Sequence, residues 1–390
     1  MGLNFDFVVD RSIRGRIYPA FAQHQAEPYT QSWREFEQHW PNTVPLRLQE
    51  YCDYHGANIS LYTIQDCFPD TSFYPVALGW FNFELDYISL LPEAVRAAVQ
   101  QGQLKLMFYY HEADNPADIQ RRLNQLAQQW SLPSNYYRFV SGNTAAAELT
   151  NFVYFNDFEL WYRHRNKSDA LPLSTDPRPQ DFVALNRLHK SWRATVMADL
   201  EPMLHNSIWS YCQSGLLLDE ENPIEIDAFD GLRTATENFL NRMPRFADNL
   251  SNQERNNHAN TVTNFFTDAY MHLVIETHFD ADQSGGAFLT EKTFKPIKHA
   301  QPFFIIGCAG SLQTLRNLGY RVFDHVLDNS YDLEINNTCR WKKLRSAIAK
   351  VKDHLPSVFA ACVDDIVHNQ QLFLAGKHNR LSKLHADLYE

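Results

Sequence analysis

This chain of 390 residues has little of several features that would fix its class at a glance. Its six cysteines, Cys52, Cys67, Cys212, Cys308, Cys339 and Cys362, stand far apart with no Cys-x-x-Cys pair. That spacing excludes the signature of a zinc ribbon or a disulfide scaffold and reads as reduced, packing residues. No uninterrupted apolar run approaches the roughly 20 residues that cross a bilayer. The opening MGLNFDFVVDRSIRGR breaks its apolar run with Asp6 and Asp10 and shows no small-residue cleavage site, so the expected location is cytoplasmic. Positive charge is also short: 35 Lys and Arg against 46 Asp and Glu give a net charge of -11. This argues against a general attraction to nucleic acid or anionic membrane, while leaving room for a local basic pocket. Neither a fixed-period repeat nor a low-complexity tract is present.

What is present points to folded domains. A hydrophobic fraction of 44% and an aromatic fraction of 14% favour a packed core, and the length suits two domains. Strand-like runs at Asn4–Val9, Asn58–Ile64, Leu104–Tyr110, Tyr137–Ser141 and Phe152–Phe155 alternate with helix-like stretches at Val44–Tyr54, Leu91–Gln101 and Pro116–Trp130. The proline-containing stretch Asn166–Gln180 reads as a linker. Alternation then resumes through strands Phe182–Leu185, Ser207–Tyr211, Met271–Glu276 and Phe303–Ile306. Helices are expected at Ser191–Leu204, after Thr290, and at Ser311–Leu318, with a helical tail from Trp341. The expected fold is α/β, two Rossmann-like doubly wound domains with parallel sheets. Their bounds are 1–165, 181–335 after a linker at 166–180, and a helical region at 336–390. Ligands of such sheets bind beyond the carboxyl ends of the strands, so candidate residues are sought there.

Phe288–Gly310, FLTEKTFKPIKHAQPFFIIGCAG, carries the densest signal. Thr290 suits a helix N-cap, and a helix start offers unpaired N–H groups and positive dipole to a phosphate. Lys292 in that first turn is unfavourable for an isolated helix, which makes sense if an anion sits there, and Glu291 offers a carboxylate for sugar hydroxyls. Asn186 and Arg187 close the strand from Phe182, with Arg193 in the next helix; guanidinium groups grip diphosphate oxygens in bidentate fashion. Glu276 and Thr277 end another apolar strand, where a carboxylate is placed to orient the donor or hydrogen-bond a sugar hydroxyl. His272, Glu276, His278, Asp280 and Asp282 lack any known ligand spacing, so no metal is expected there. This is the chemistry of a nucleotide-sugar pocket. A base for an attacking hydroxyl is sought among carboxylates at strand ends in the first half. Glu112 and Asp10 lead, ahead of Asp114, Glu84 and Asp86, while Trp80, Tyr109 and Tyr110 offer rings to stack on sugars.

The run from Glu276-Thr277 through Thr290-Glu291-Lys292 to Gln301-Pro302 and Phe303–Gly307 resembles the donor-binding half of GT-B glycosyltransferases, especially the fucosyltransferase-like group. The segment FVALNRLHKSWR, Phe182–Arg193, is similar to the strand, Asn-Arg and downstream Arg that open the donor domain in related enzymes. The resemblance covers roughly Asp181–Asp332. It implies a diphosphate contact for Lys292, a ribose contact for Glu291, and an arginine, Arg187 or Arg193, that neutralises the leaving diphosphate. It further implies inverting, metal-independent transfer from a GDP- or UDP-linked sugar to a carbohydrate or other hydroxyl acceptor. The alternatives are a catalytically silent nucleotide-sugar-binding module and a nucleic-acid-modifying glycosyltransferase. The second is disfavoured by the net acidity.

Overall fold

The computed structural model describes residues 3–9, 48, 52, 56–77, 81, 83–110, 115–166, 168–214, 229, 231–251, 254, 260–280, 285–375 and 380–390. The chain forms two compact units. One comprises Met1–Asp157, Gln283–Gly285 and His378–Glu390; the other comprises Phe158–Asp282 and Gly286–Lys377. Among the described residues, no helix is long and apolar enough to cross a membrane.

The first unit is built on strands β1 (Asn4–Val8), β2 (Asn58–Tyr62), β3 (Phe73–Ala77), β4 (Lys105–Tyr110), β5 (Tyr137–Ser141) and β6 (Phe152–Tyr154), with helices α1 (Glu93–Gln100) and α2 (Pro116–Trp130). All strands run parallel in the order β2-β1-β3-β4-β5-β6. Central β4 is apolar on both faces, as a doubly covered parallel strand must be. Local signals set α2. The Asn115 side chain accepts from Ala117 N at 3.0 Å, Pro116 holds the first position, and Ser131 ends the helix at φ 52°. Ile119, Leu123 and Leu126 form its buried stripe against Phe108, Tyr137 and Phe139. Strand β3 escapes the sequence reading because Pro75 argues against a central strand. Its register with β1 is limited to Phe7 and Phe73, so Pro75 stands clear of that ladder and pairs with Met107 of β4. The helix Arg380–Tyr389 packs here, where the Tyr389 hydroxyl accepts the Asp6 N–H at 2.8 Å.

The second unit begins with α3 (Phe158–Arg165), followed by β7 (Gln180–Leu188), α4 (Ser191–Leu200), β8 (Ile208–Ser214), α5 (Arg233–Leu240), α6 (Asn264–Asp268), β9 (Ala269–Ile275), α7 (Glu291–Lys298), β10 (Phe303–Ile306) and α8 (Ser311–Asn317). Helices α9 (Asn337–Lys352), α10 (Leu355–Ala361) and α11 (Val363–Ala375) complete it, so the helical region expected at 336–390 divides between the two units. The proline-containing stretch expected as a linker lies within this unit. Its Arg178 donates to the carbonyl of Ala269 at 2.8 Å and stacks 4.2 Å over the Phe359 ring. The four parallel strands run β10-β9-β7-β8. Edge strand β10 is wholly buried, and its Ile305 N–H donates to the Tyr331 hydroxyl at 3.3 Å, which covers part of the open ladder. Trp341, Leu344 and Ile348 of α9 join Phe182, Leu273 and Phe304 in one core.

In chain order this second sheet reads 2-1-3-4, with winding reversed between its first strand, β7, and its third, β9. Such a reversal leaves a crevice outside the carboxyl ends of the two strands.

Candidate functional site

The residues that follow β7 and β9 meet at this reversal. Arg193, in the first turn of α4, is 4% exposed and fastens the two strand ends together. Its Nε and Nη2 donate to the Glu276 carbonyl at 3.2 and 2.6 Å, and its Nη1 donates to the Leu188 carbonyl at 3.2 Å. Burial pushes its guanidinium down to about 10, against the pull of Glu276. Arg193 was expected to contact diphosphate; three of its bonds go to backbone carbonyls, so its main task is to frame the crevice.

Glu276 also works on the frame. The carboxylate is completely buried and gathers four donors: Thr290 N at 3.0 Å and Thr293 Oγ1 at 2.6 Å on Oε1, with Thr290 Oγ1 at 2.7 Å and Thr277 N at 3.2 Å on Oε2. It anchors the beginning of α7 to the end of β9, instead of facing a sugar hydroxyl as the sequence suggested. Gly307, at the end of β10, permits this packing: a Cβ there would lie 3.3 Å from the Glu276 Cβ. Thr290 is the N-cap of α7 as expected, its hydroxyl accepting from Lys292 N at 3.4 Å.

The three helices that follow β7, β9 and β10 therefore start differently. Asp332 closes α8 by accepting Leu312 N and Gln313 N, both at 2.9 Å. Glu276 and Thr290 close α7. Helix α4, after β7, has no side-chain cap among the described residues: Lys190 occupies the N-cap position. Its first N–H groups and dipole lie at the winding reversal, where anions are favoured.

Cations crowd the same place. Lys190 Nζ donates to the Thr277 carbonyl at 2.8 Å. Lys292 Nζ lies 3.2 Å from Thr277 Oγ1, 3.0 Å from Thr290 Oγ1 and 3.6 Å from Glu291 Oε1. Glu291, 3% exposed, also interacts electrostatically with Arg187, Arg193 and Lys295. Burial lowers the proton affinity of Arg187. Burial, then the neighbouring Lys292 and Arg187, bring the Lys295 ammonium down to about 8 despite Glu291. Arg187, Arg193, Lys292 and Lys295 thus lie around buried Glu291, with Lys190 beside Thr277, and against the two buried carboxylates Glu276 and Glu291 these five leave an excess of positive charge in a chain that is acidic as a whole. Asn186, 3% exposed at the end of β7, has an amide whose oxygen and nitrogen make no hydrogen bond among the described residues.

The structure thus brings together Asn186, Arg187, Arg193, Glu276, Thr290, Glu291 and Lys292 at one end of one sheet. Lys190 and His278 belong there too and were missed as pocket residues. Lys190 sits in the turn directly after β7, so its strand-end position was the available signal. The proposed bases Asp10 and Glu112, together with Trp80 and Asp114, lie outside the described residues. Asp86 is engaged elsewhere, accepting Trp130 Nε1 at 3.1 and 3.0 Å. Tyr109 is a core residue whose hydroxyl donates to Asp157 at 2.7 Å. His272, named with the acidic loop, stacks on Phe266 and pairs with Gln301, while Asp282 lies outside the described residues. Among the described residues, no group of three or more His, Cys, Asp or Glu side chains is placed to hold a metal ion. No protein-family model matches this chain, and neither does any curated protein.

Proposed function

We propose that the chain is an inverting, metal-independent glycosyltransferase of the GT-B type, whose second unit binds a nucleoside-diphosphate sugar. The observation that carries this reading is the cluster of Arg187, Lys190, Arg193, Lys292 and Lys295 at the reversal of the second sheet, beside the start of α4, which has no side-chain cap among the described residues. Concentrated positive charge, with the proton affinity of Arg187, Arg193 and Lys295 lowered by burial, is costly without an anion, and a diphosphate supplies two negative charges in reach of several donors. Lys292 and Arg187 are the proposed diphosphate contacts, Glu291 and the Asn186 amide the proposed partners of ligand hydroxyls. Arg193 and Glu276 hold those groups in place.

In the proposed reaction a carboxylate, for which the sequence offers Glu112 and Asp10, accepts the proton of the acceptor hydroxyl. The oxygen attacks the anomeric carbon as the bond to the diphosphate breaks, and the charge gained by the departing diphosphate is met by Lys292, Arg187 and the helix start. The acceptor is a carbohydrate or other hydroxyl compound. Incubating the full chain with UDP- and GDP-linked sugars and an acceptor panel tests this reading. Release of nucleoside diphosphate that depends on Lys292 and on an acceptor supports it; tight binding with no turnover across the panel points to a binding module.

A further inference from the structure

At the end of α7 opposite Thr290, two histidines close on one aromatic ring. Phe266 of α6 stacks on His272 of β9 at 5.4 Å and 19°, and His299, the C-cap of α7, lies 4.8 Å from the same ring at 38°. His272 is 5% exposed and His299 1%. Gln301 donates from Nε2 to the Ala269 carbonyl at 2.7 Å, which leaves its Oε1 to accept from His272 Nδ1 at 3.3 Å. His272 is thereby held as the neutral tautomer with its hydrogen on Nδ1. Neither ring nitrogen of His299 has a hydrogen-bond partner among the described residues.

These surroundings suit neutral rings and oppose a second proton. The strand neighbours of His272 are Val183 and Phe303, both apolar. The charged groups that act on the pair are cations: Lys295 on both rings, Lys298 on His299, and His299, once protonated, on His272. Burial first, then these cations, bring both imidazoles down to about 3. An unfolded histidine titrates near about 6.5. The folded chain therefore holds fewer protons than the unfolded chain between these two values, and stability falls as pH falls through that window. Lys295 belongs to α7 and His299 caps it, and the first turn of the same helix carries Glu291 and Lys292, so loss of the stack reaches the crevice. We propose that His272, Phe266 and His299 form an acid-sensitive latch: protonation of the two imidazoles frees α6 and the end of α7 from the sheet and dismantles the cationic rim. The latch acts whatever ligand the crevice takes.

Hydrogen exchange of the full chain, read by mass spectrometry at pH 7.5 and pH 5, tests it. Each histidine that charges only on opening should raise the opening constant for the amides of α6, β9 and α7 by about thirtyfold between those two pH values. His299→Phe keeps a ring against Phe266 and has no side-chain hydrogen bond to lose. It should cut that rise by about thirtyfold, whatever it does to opening at pH 7.5. Ring resonances of His272 and His299 in the wild-type chain, a readout that needs no variant, should stay those of neutral imidazole down to about pH 5. Opening that does not rise with acid, a rise that survives intact in His299→Phe, or protonation of either ring in the folded chain above about pH 6 would overturn the proposal. Nucleotide binding has no part in this test, so the proposed function stands or falls separately.

Discussion

The two sheets of this chain begin alike. From one edge, the first unit reads second strand, first, third, fourth, and so does the second unit. Each therefore has a winding reversal, where a crevice opens outside the carboxyl ends of two strands, and the described strand ends of the two units are furnished differently. In the first unit the reversal lies between β1 and β3, and the residues that follow them at 10–47 and 78–80 lie outside the described residues; away from it, the ends of β5 and β6 carry the neutral or acidic Ser141, Asn143, Asn156 and Asp157. In the second, Arg187, Arg193, Lys292 and Lys295 converge around Glu291, with Lys190 beside Thr277. Topology provides the recess; the residues placed at its rim decide which charge it accepts. A parallel sheet alone predicts neither.

That contrast can be tested by breaking the frame of the cationic site. Glu276→Ala removes a carboxylate that satisfies four donors in the interior, leaving three threonines short of acceptors. It should cost about 3 kcal/mol or more of stability in the second unit, measured by denaturant unfolding, and disorder the start of α7. Arg193→Met should follow at about 2–3 kcal/mol, because the carbonyls of Glu276 and Leu188 lose a charged donor.

Lys292→Ala should separate binding from folding. The side chain is partly exposed, so stability should move by less than about 1 kcal/mol, whereas affinity for a nucleoside diphosphate should fall about tenfold or more. A smaller effect comes from pH. Lys295 keeps its charge below about 8 and loses it above, so anion affinity should decline between about pH 7 and pH 9. Lys295→Met should flatten that decline. In the first unit, Asp118→Asn breaks an exposed pair with Arg121 and should change stability by no more than about 0.5 kcal/mol.

Much of the framework was legible in the sequence because local chemistry agreed with the fold. Pro116 and Asn115 mark the start of α2, the all-apolar Phe303–Ile306 run reads as a buried strand, and Thr290 caps α7. Strand β3 was hidden by Pro75, whose usual meaning is overridden by a ladder that avoids it on one side. Helix α3 was missed because its eight residues mix buried Glu159, Leu160 and Tyr162 with Arg163 and give little periodic signal. The members of the cationic site were mostly visible from their strand-end positions, but their division of labour was not. Nothing in the local sequence tells that Glu276 will be consumed by Thr290 and Thr293, or that Arg193 will turn to carbonyls. Both facts depend on β7 and β9 being neighbours, and strand order is a property of the whole sheet.

The central claim is that the crevice of the second sheet takes a nucleoside diphosphate through its cationic rim. The most direct measurement is calorimetric titration of the full chain, and of Lys292→Ala, with UDP, GDP, CMP and dTDP sugars. The account predicts saturable binding of at least one diphosphate-linked sugar, weakened about tenfold or more by Lys292→Ala. Absence of binding across the panel, or binding indifferent to Lys292, would contradict it.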